Sequence, residues 1–139
     1  MIKFYNPVNS QFEKALQGHS KTIYAMCALP NGNIVSAGED RYIKLWNVKT
    51  GNMTRSFIGH EDFVRCLTLN SQKQLVSASD DKTVRVWDLQ TGEEVDQITG
   101  FTDYIYGLAC KKNGNIVTGL RDGVLKVYEP IQKKFIVDI

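Results

Sequence analysis

One spacing governs this chain. His19, His60 and Phe101 stand 41 residues apart, and so do Ser36, Ser77 and Thr118, then Asp40, Asp81 and Asp122, then Tyr5, Trp46, Trp87 and Tyr128. No insertion or deletion breaks the register, and the turns keep it as well: Asn31-Gly32 returns as Asn113-Gly114, and Thr50-Gly51 as Thr91-Gly92. A period of this length marks a repeat architecture in which each supersecondary unit buries its faces on its neighbours.

Within each unit the apolar residues alternate or gather in short β-branched and aromatic runs, such as 34–40 IVSAGED, 42–48 YIKLWNV and 83–89 TVRVWDL. None carries a 3.6-residue stripe long enough for a helix, so every element reads as a strand. Asn-Gly between two such runs suits a type I′ hairpin, in which both central residues take positive φ. The second unit divides into four strands, a to d: Val64 to Asn70, Gln74 to Ser79, Thr83 to Leu89 and Glu94 to Ile98.

Gly18-His19, Ser36, Asp40 and Trp46, followed by Gly59-His60, Ser77, Asp81 and Trp87-Asp88, resemble the WD40 (WD-repeat) family of β-propellers. The resemblance implies an all-β propeller with three full four-stranded blades and a half blade made of strands c and d. Residues 1–19 supply the half blade, 20–59 blade 1, 60–100 blade 2 and 101–139 blade 3. It also implies a buried network in which Trp donates to Ser, Ser to His and His to Asp, carried here by Trp46, Ser36, His19 and Asp40 and again by Trp87, Ser77, His60 and Asp81. Blade 3 departs from the pattern at Phe101, Thr118 and Tyr128, so its network is incomplete.

Ser, His and Asp are also the ingredients of a nucleophilic triad, and a hydrolase using Ser36, His19 and Asp40 is the least favoured reading. A triad needs an exposed nucleophile and oxyanion donors, whereas this constellation occurs twice at one period with a Trp attached, as packing demands. No GxSxG, HExxH, P-loop or GxGxxG motif is present, and neither a cofactor nor a metal is expected. The Asp80-Asp81 pair reads as one exposed loop residue beside one network residue.

Composition narrows the partners. Seventeen basic and fifteen acidic residues interleave along the chain for a net charge of +2, which gives no footprint for nucleic acid or an anionic membrane. Cys27, Cys66 and Cys110 are an odd number without CxxC spacing, each in an apolar run, which points to a reducing cytoplasmic or nuclear setting. The N-terminus has no signal-peptide pattern, no run is long enough to span a bilayer, and the sequon Asn52-Met53-Thr54 reads as chance.

Propellers of the WD-repeat family generally bind proteins or peptides on the top face, where the d-to-a and b-to-c loops meet. The family's contact positions map to Tyr24, Arg65 and Tyr106, to Thr22, Phe63 and Tyr104, and to Glu39, Asp80 and Arg121. Four aromatics and two arginines among these nine are residue types of interface hot spots. The segment from Leu29 to Asn47, with its weaker echo at 111–128, is similar to the closing blades of the ubiquitin-binding propellers of the phospholipase-activating-protein family. That makes ubiquitin a candidate partner. A seven-bladed ring at this period needs roughly 290 residues, so the chain reads as an excised piece, a self-assembling half or a part completed by another chain. A purely structural element without a partner is the alternative function.

Overall fold

The computed structural model describes residues 1–138, and every regular element in it is a strand. A short hairpin, β1 (Ile2–Tyr5) with β2 (Phe12–Leu16), precedes three four-stranded antiparallel meanders. Blade 1 holds β3 (Ile23–Ala28), β4 (Ile34–Gly38), β5 (Ile43–Asn47) and β6 (Asn52–Phe57). Blade 2 holds β7 (Val64–Leu69), β8 (Leu75–Ser79), β9 (Val84–Trp87) and β10 (Glu94–Ile98). Blade 3 holds β11 (Ile105–Cys110), β12 (Ile116–Leu120), β13 (Leu125–Glu129) and β14 (Lys134–Asp138). The architecture is the all-β propeller arrangement that the WD-repeat resemblance implies.

Alternation sets the packing, because successive side chains of a strand leave opposite faces of its sheet. One face of blade 1 contributes Val35, Ala37, Ile43 and Phe57, which meet Val64, Leu75 and Trp87 of blade 2. The register repeats one blade on, where Val76, Ala78, Val84 and Ile98 meet Phe101, Ile105, Ile116 and Tyr128. Ile2 and Leu16 of the hairpin pack on Trp46 in the same way. Ile43 and Val84 are fully buried, while their counterpart Leu125, on the flank of blade 3 without a neighbour among the described residues, is 43% exposed.

The tight a-to-b turns differ from the type I′ expectation. Gly32 has φ 86° and Gly114 φ 93°, but Asn31 and Asn113 keep negative φ. Each Asn instead turns its side chain back on the backbone: Asn31 Oδ1 accepts from the Asn33 N–H at 3.1 Å and Asn113 Oδ1 from the Asn115 N–H at 3.2 Å. This Asx geometry needs only one left-handed residue, and Lys73 fills that seat in blade 2 with φ 62°. Strands in blade 2 also end earlier than the apolar runs suggest, because Asn70 and Asp88 leave the ladder to bond their own turns.

Candidate functional site

Blades 1 and 2 each enclose a chain of polar groups. Trp46 Nε1 donates to Ser36 Oγ at 2.8 Å, Ser36 Oγ lies 2.6 Å from His19 Nε2, and His19 Nδ1 lies 2.8 Å from Asp40 Oδ2. In blade 2 the same contacts are 2.8 Å from Trp87 to Ser77, 2.7 Å from Ser77 to His60 and 2.7 Å from His60 to Asp81. One tautomer satisfies all of them: the Nδ1–H donates to the carboxylate and Nε2 accepts the serine hydroxyl, which in turn accepts the indole N–H. Both serines are sealed from solvent, so no substrate reaches Oγ.

Blade 2 extends this chain through two residues that sequence reasoning missed. Thr83 Oγ1 donates to Asp81 Oδ1 at 2.7 Å, and the largely buried Arg85 donates to Thr83 Oγ1 at 3.2 Å and to Glu94 Oε1 at 3.1 Å. The available signal was a cation at one register position, Lys3, Lys44, Arg85 and Lys126. Burial pushes the Asp81 carboxyl up, but the hydrogen bonds from His60, the Thr83 hydroxyl and the Glu61 N–H outweigh it and hold the group well below the usual carboxylate range.

Blade 3 fills the same space with rings. Phe101 lies 5.2 Å from Phe135 at 83°, and Phe135 lies 5.4 Å from Tyr128 at 67°, both edge-to-face. Thr118 turns to the Lys126 carbonyl at 3.5 Å, and Asp122 caps its own turn by accepting from the Val124 N–H at 3.0 Å.

The nine contact positions lie along the rim at the starts of β3, β7 and β11 and at the ends of β4, β8 and β12. The structure gathers five of them tightly. The Arg65 guanidinium sits 4.5 Å from the Tyr24 ring centre, 5.3 Å from Phe63 and 5.2 Å from Tyr106. Its Nε and Nη2 fork onto Asp80 at 3.0 and 2.7 Å, a bond that raises the guanidinium's pKa further and takes up two donors. Arg121 forms a second, more exposed unit, 4.4 Å over Tyr104 and paired with Asp103 at 3.0 Å. Asp103 was not foreseen, although Asp62 stands 41 residues before it.

One further expectation needs correction. Asp80 is buried rather than an exposed loop residue, because the Arg65 fork draws it inward. Phe63, Arg65, Tyr104 and Glu39 are half-buried, whereas Thr22, Tyr24, Tyr106 and Arg121 are exposed. Glu39 is 3.9 Å from Lys21, and its N–H donates to the Thr22 carbonyl at 2.8 Å. Burial raises the thiol of Cys27 and pushes those of Cys66 and Cys110 up to about 11, which leaves them inert as nucleophiles near neutrality.

The WD domain, G-beta repeat family matches residues 10–47, 51–88 and 92–129. The chain belongs to the WD40 family. Among solved structures, the WD40 β-propeller domain of Doa1 superposes with a TM-score of 0.83 at 30% identity, covering 88% of this chain and 42% of that one. Cell division control protein 4 of Saccharomyces cerevisiae is 33% identical over 51 residues, 37% of this chain and 6% of that protein. The chain thus spans less than half the length of either. WD40 propellers are typically non-catalytic scaffolds that mediate protein–protein interaction.

Proposed function

We propose that this WD40 unit binds a partner protein through the rim formed by Tyr24, Phe63, Arg65 and Tyr106, with Tyr104 and Arg121 extending the surface. The observation that carries this reading is the Arg65 cluster: one guanidinium neutralised by Asp80 and held between rings from three successive blades. Such a unit is assembled before a partner arrives, so binding loses little side-chain freedom. Tyr24 and Tyr106 leave 40% and 49% of their surface exposed, offering two tyrosine rings around the Arg65 guanidinium.

That chemistry suits an apolar patch bordered by main-chain or side-chain acceptors. It does not suit a phosphate, because both guanidiniums already hold carboxylates. Ubiquitin is the specific candidate, supported by the resemblance of residues 29–47 to ubiquitin-binding propellers and by the likeness to the Doa1 domain. A cytoplasmic or nuclear location goes with this proposal.

Titration of labelled ubiquitin followed by NMR tests it. The expected result is saturable shifts that Tyr106→Ala and Arg65→Ala both remove, with little change between low and moderate salt. Absence of shifts at about 1 mM protein, where even weak complexes register, rejects ubiquitin. Retained binding in both variants rejects the rim.

A further inference from the structure

A groove of about 340 Å³ opens on the other end of the blades, between the a-to-b turns of blades 2 and 3, β10 and the β13–β14 turn. Nothing in the rim reading uses it. Its floor includes Asn115, whose side chain is the point of interest. In blade 1 the equivalent Asn33 accepts a hydrogen bond from the Val48 N–H at 3.4 Å. Forty-one residues on, Gln74 accepts from Asn70 Nδ2 at 2.8 Å. In blade 3 the residue matching Val48 is Pro130, which has no N–H to give.

The Asn115 carboxamide therefore has no hydrogen-bond partner among the described residues, although the residue is only 9% exposed. No fully enclosed side-chain polar atom lacks a partner among those residues, so this carboxamide meets solvent through the groove. Water satisfies it in the free protein, and a ligand's polar group can take the place of that water. The lips are apolar and open, with Ile131 89% and Val95 49% exposed. Asp96 and Glu129 line the walls and no lysine or arginine does. The corresponding groove between blades 1 and 2 lacks this combination: it holds Gln90 where Ile131 stands and is lined by Lys73.

We infer that the groove between blades 2 and 3 binds an extended peptide segment of a partner protein. A carboxamide offers one acceptor and one donor side by side, which matches the N–H and C=O of a main-chain peptide unit. An aliphatic side chain of the segment then lies between Ile131 and Val95. Flanking lysine or arginine residues face Asp96 and Glu129. This second surface is independent of the rim, so one chain holds two partners, or two parts of one partner, at opposite ends of its blades.

The probe is a capped, fluorescein-labelled heptapeptide of alternating leucine and lysine, titrated against the full chain by fluorescence anisotropy. Saturable binding is expected below about 1 mM, weakened about tenfold or more by Asn115→Leu, which keeps the shape but loses both hydrogen bonds. Ile131→Ser, at a position too exposed to affect folding, weakens it comparably. Tyr106→Ala leaves it unchanged, and a leucine–glutamate peptide does not bind. The inference is overturned by no saturation with the wild type, by full binding in the Asn115 and Ile131 variants, or by loss of binding through Tyr106→Ala alone.

Discussion

Where blade 2 places His60 among Ser77, Asp81 and Trp87, blade 3 places Phe101 against Phe135 and Tyr128. The backbone hardly distinguishes the two: both are four-stranded meanders with the same order of pairing. What differs is how the space between the d-to-a loop and strand c is filled. A network satisfies each polar member only if all are present, whereas rings need only shape and area. Blade 3 therefore keeps its fold without a histidine, serine or tryptophan at these positions, whereas removing one member of the blade 2 network leaves the others short of a partner.

The contrast can be broken first at the ring. Phe101→Ala should cost about 3–5 kcal/mol through the cavity it leaves, with a urea midpoint that shifts alike at pH 7 and pH 3.5. His60→Ala comes next, at about 2–3 kcal/mol near neutrality, because it leaves the Ser77 hydroxyl only the Arg85 carbonyl at 3.5 Å and removes the main donor to Asp81. An effect on urea stability under 0.5 kcal/mol, on the order of an ordinary surface substitution, would mean that the network contributes nothing.

Acidity separates the blades further. Asp81 is held below its ordinary pKa in the folded chain, so the unfolded chain binds its proton more readily. The stability this confers is complete above the usual carboxylate range and is lost as pH falls below about 4. Hydrogen exchange at pH 3 should therefore show amides of β8 and β9 losing more protection than those of β12 and β13; equal losses would contradict this. The smallest change sharpens the comparison: Tyr128→Trp offers an indole N–H towards Thr118 and should alter stability by about 1 kcal/mol or less, read from the same urea curves.

The period exposed the strands, the blades and the polar residues that recur with it, because a repeating fold must repeat the chemistry that lets its units pack. It exposed less where a side chain departs from its counterparts. Asp80 looked like a loop residue because its equivalents are Glu39 and Arg121, and only Arg65 opposite explains its burial. The Asn31 turn looked like a type I′ hairpin because Asn-Gly fits one, yet the side-chain bond to Asn33 is a local alternative that residue identity alone does not decide. Asn115 was invisible as a site, since its meaning lies in a missing donor on Pro130, in a different strand connection.

Each network histidine sits in the loop that leaves one blade and enters the next, and reaches Ser and Asp partners on the entered side. The unit of sequence is thus offset from the unit of shape, and successive blades are stitched rather than stacked. A fusion or an inserted peptide placed at residues 58–62 would cut the stitch. The turns at Gly51 and Gly92 are themselves tied to the preceding unit by Lys14 and Arg55, whereas the turn at Gly32 is closed by bonds among its own residues. The Gly32 turn is where the chain can be lengthened without unpicking its neighbours.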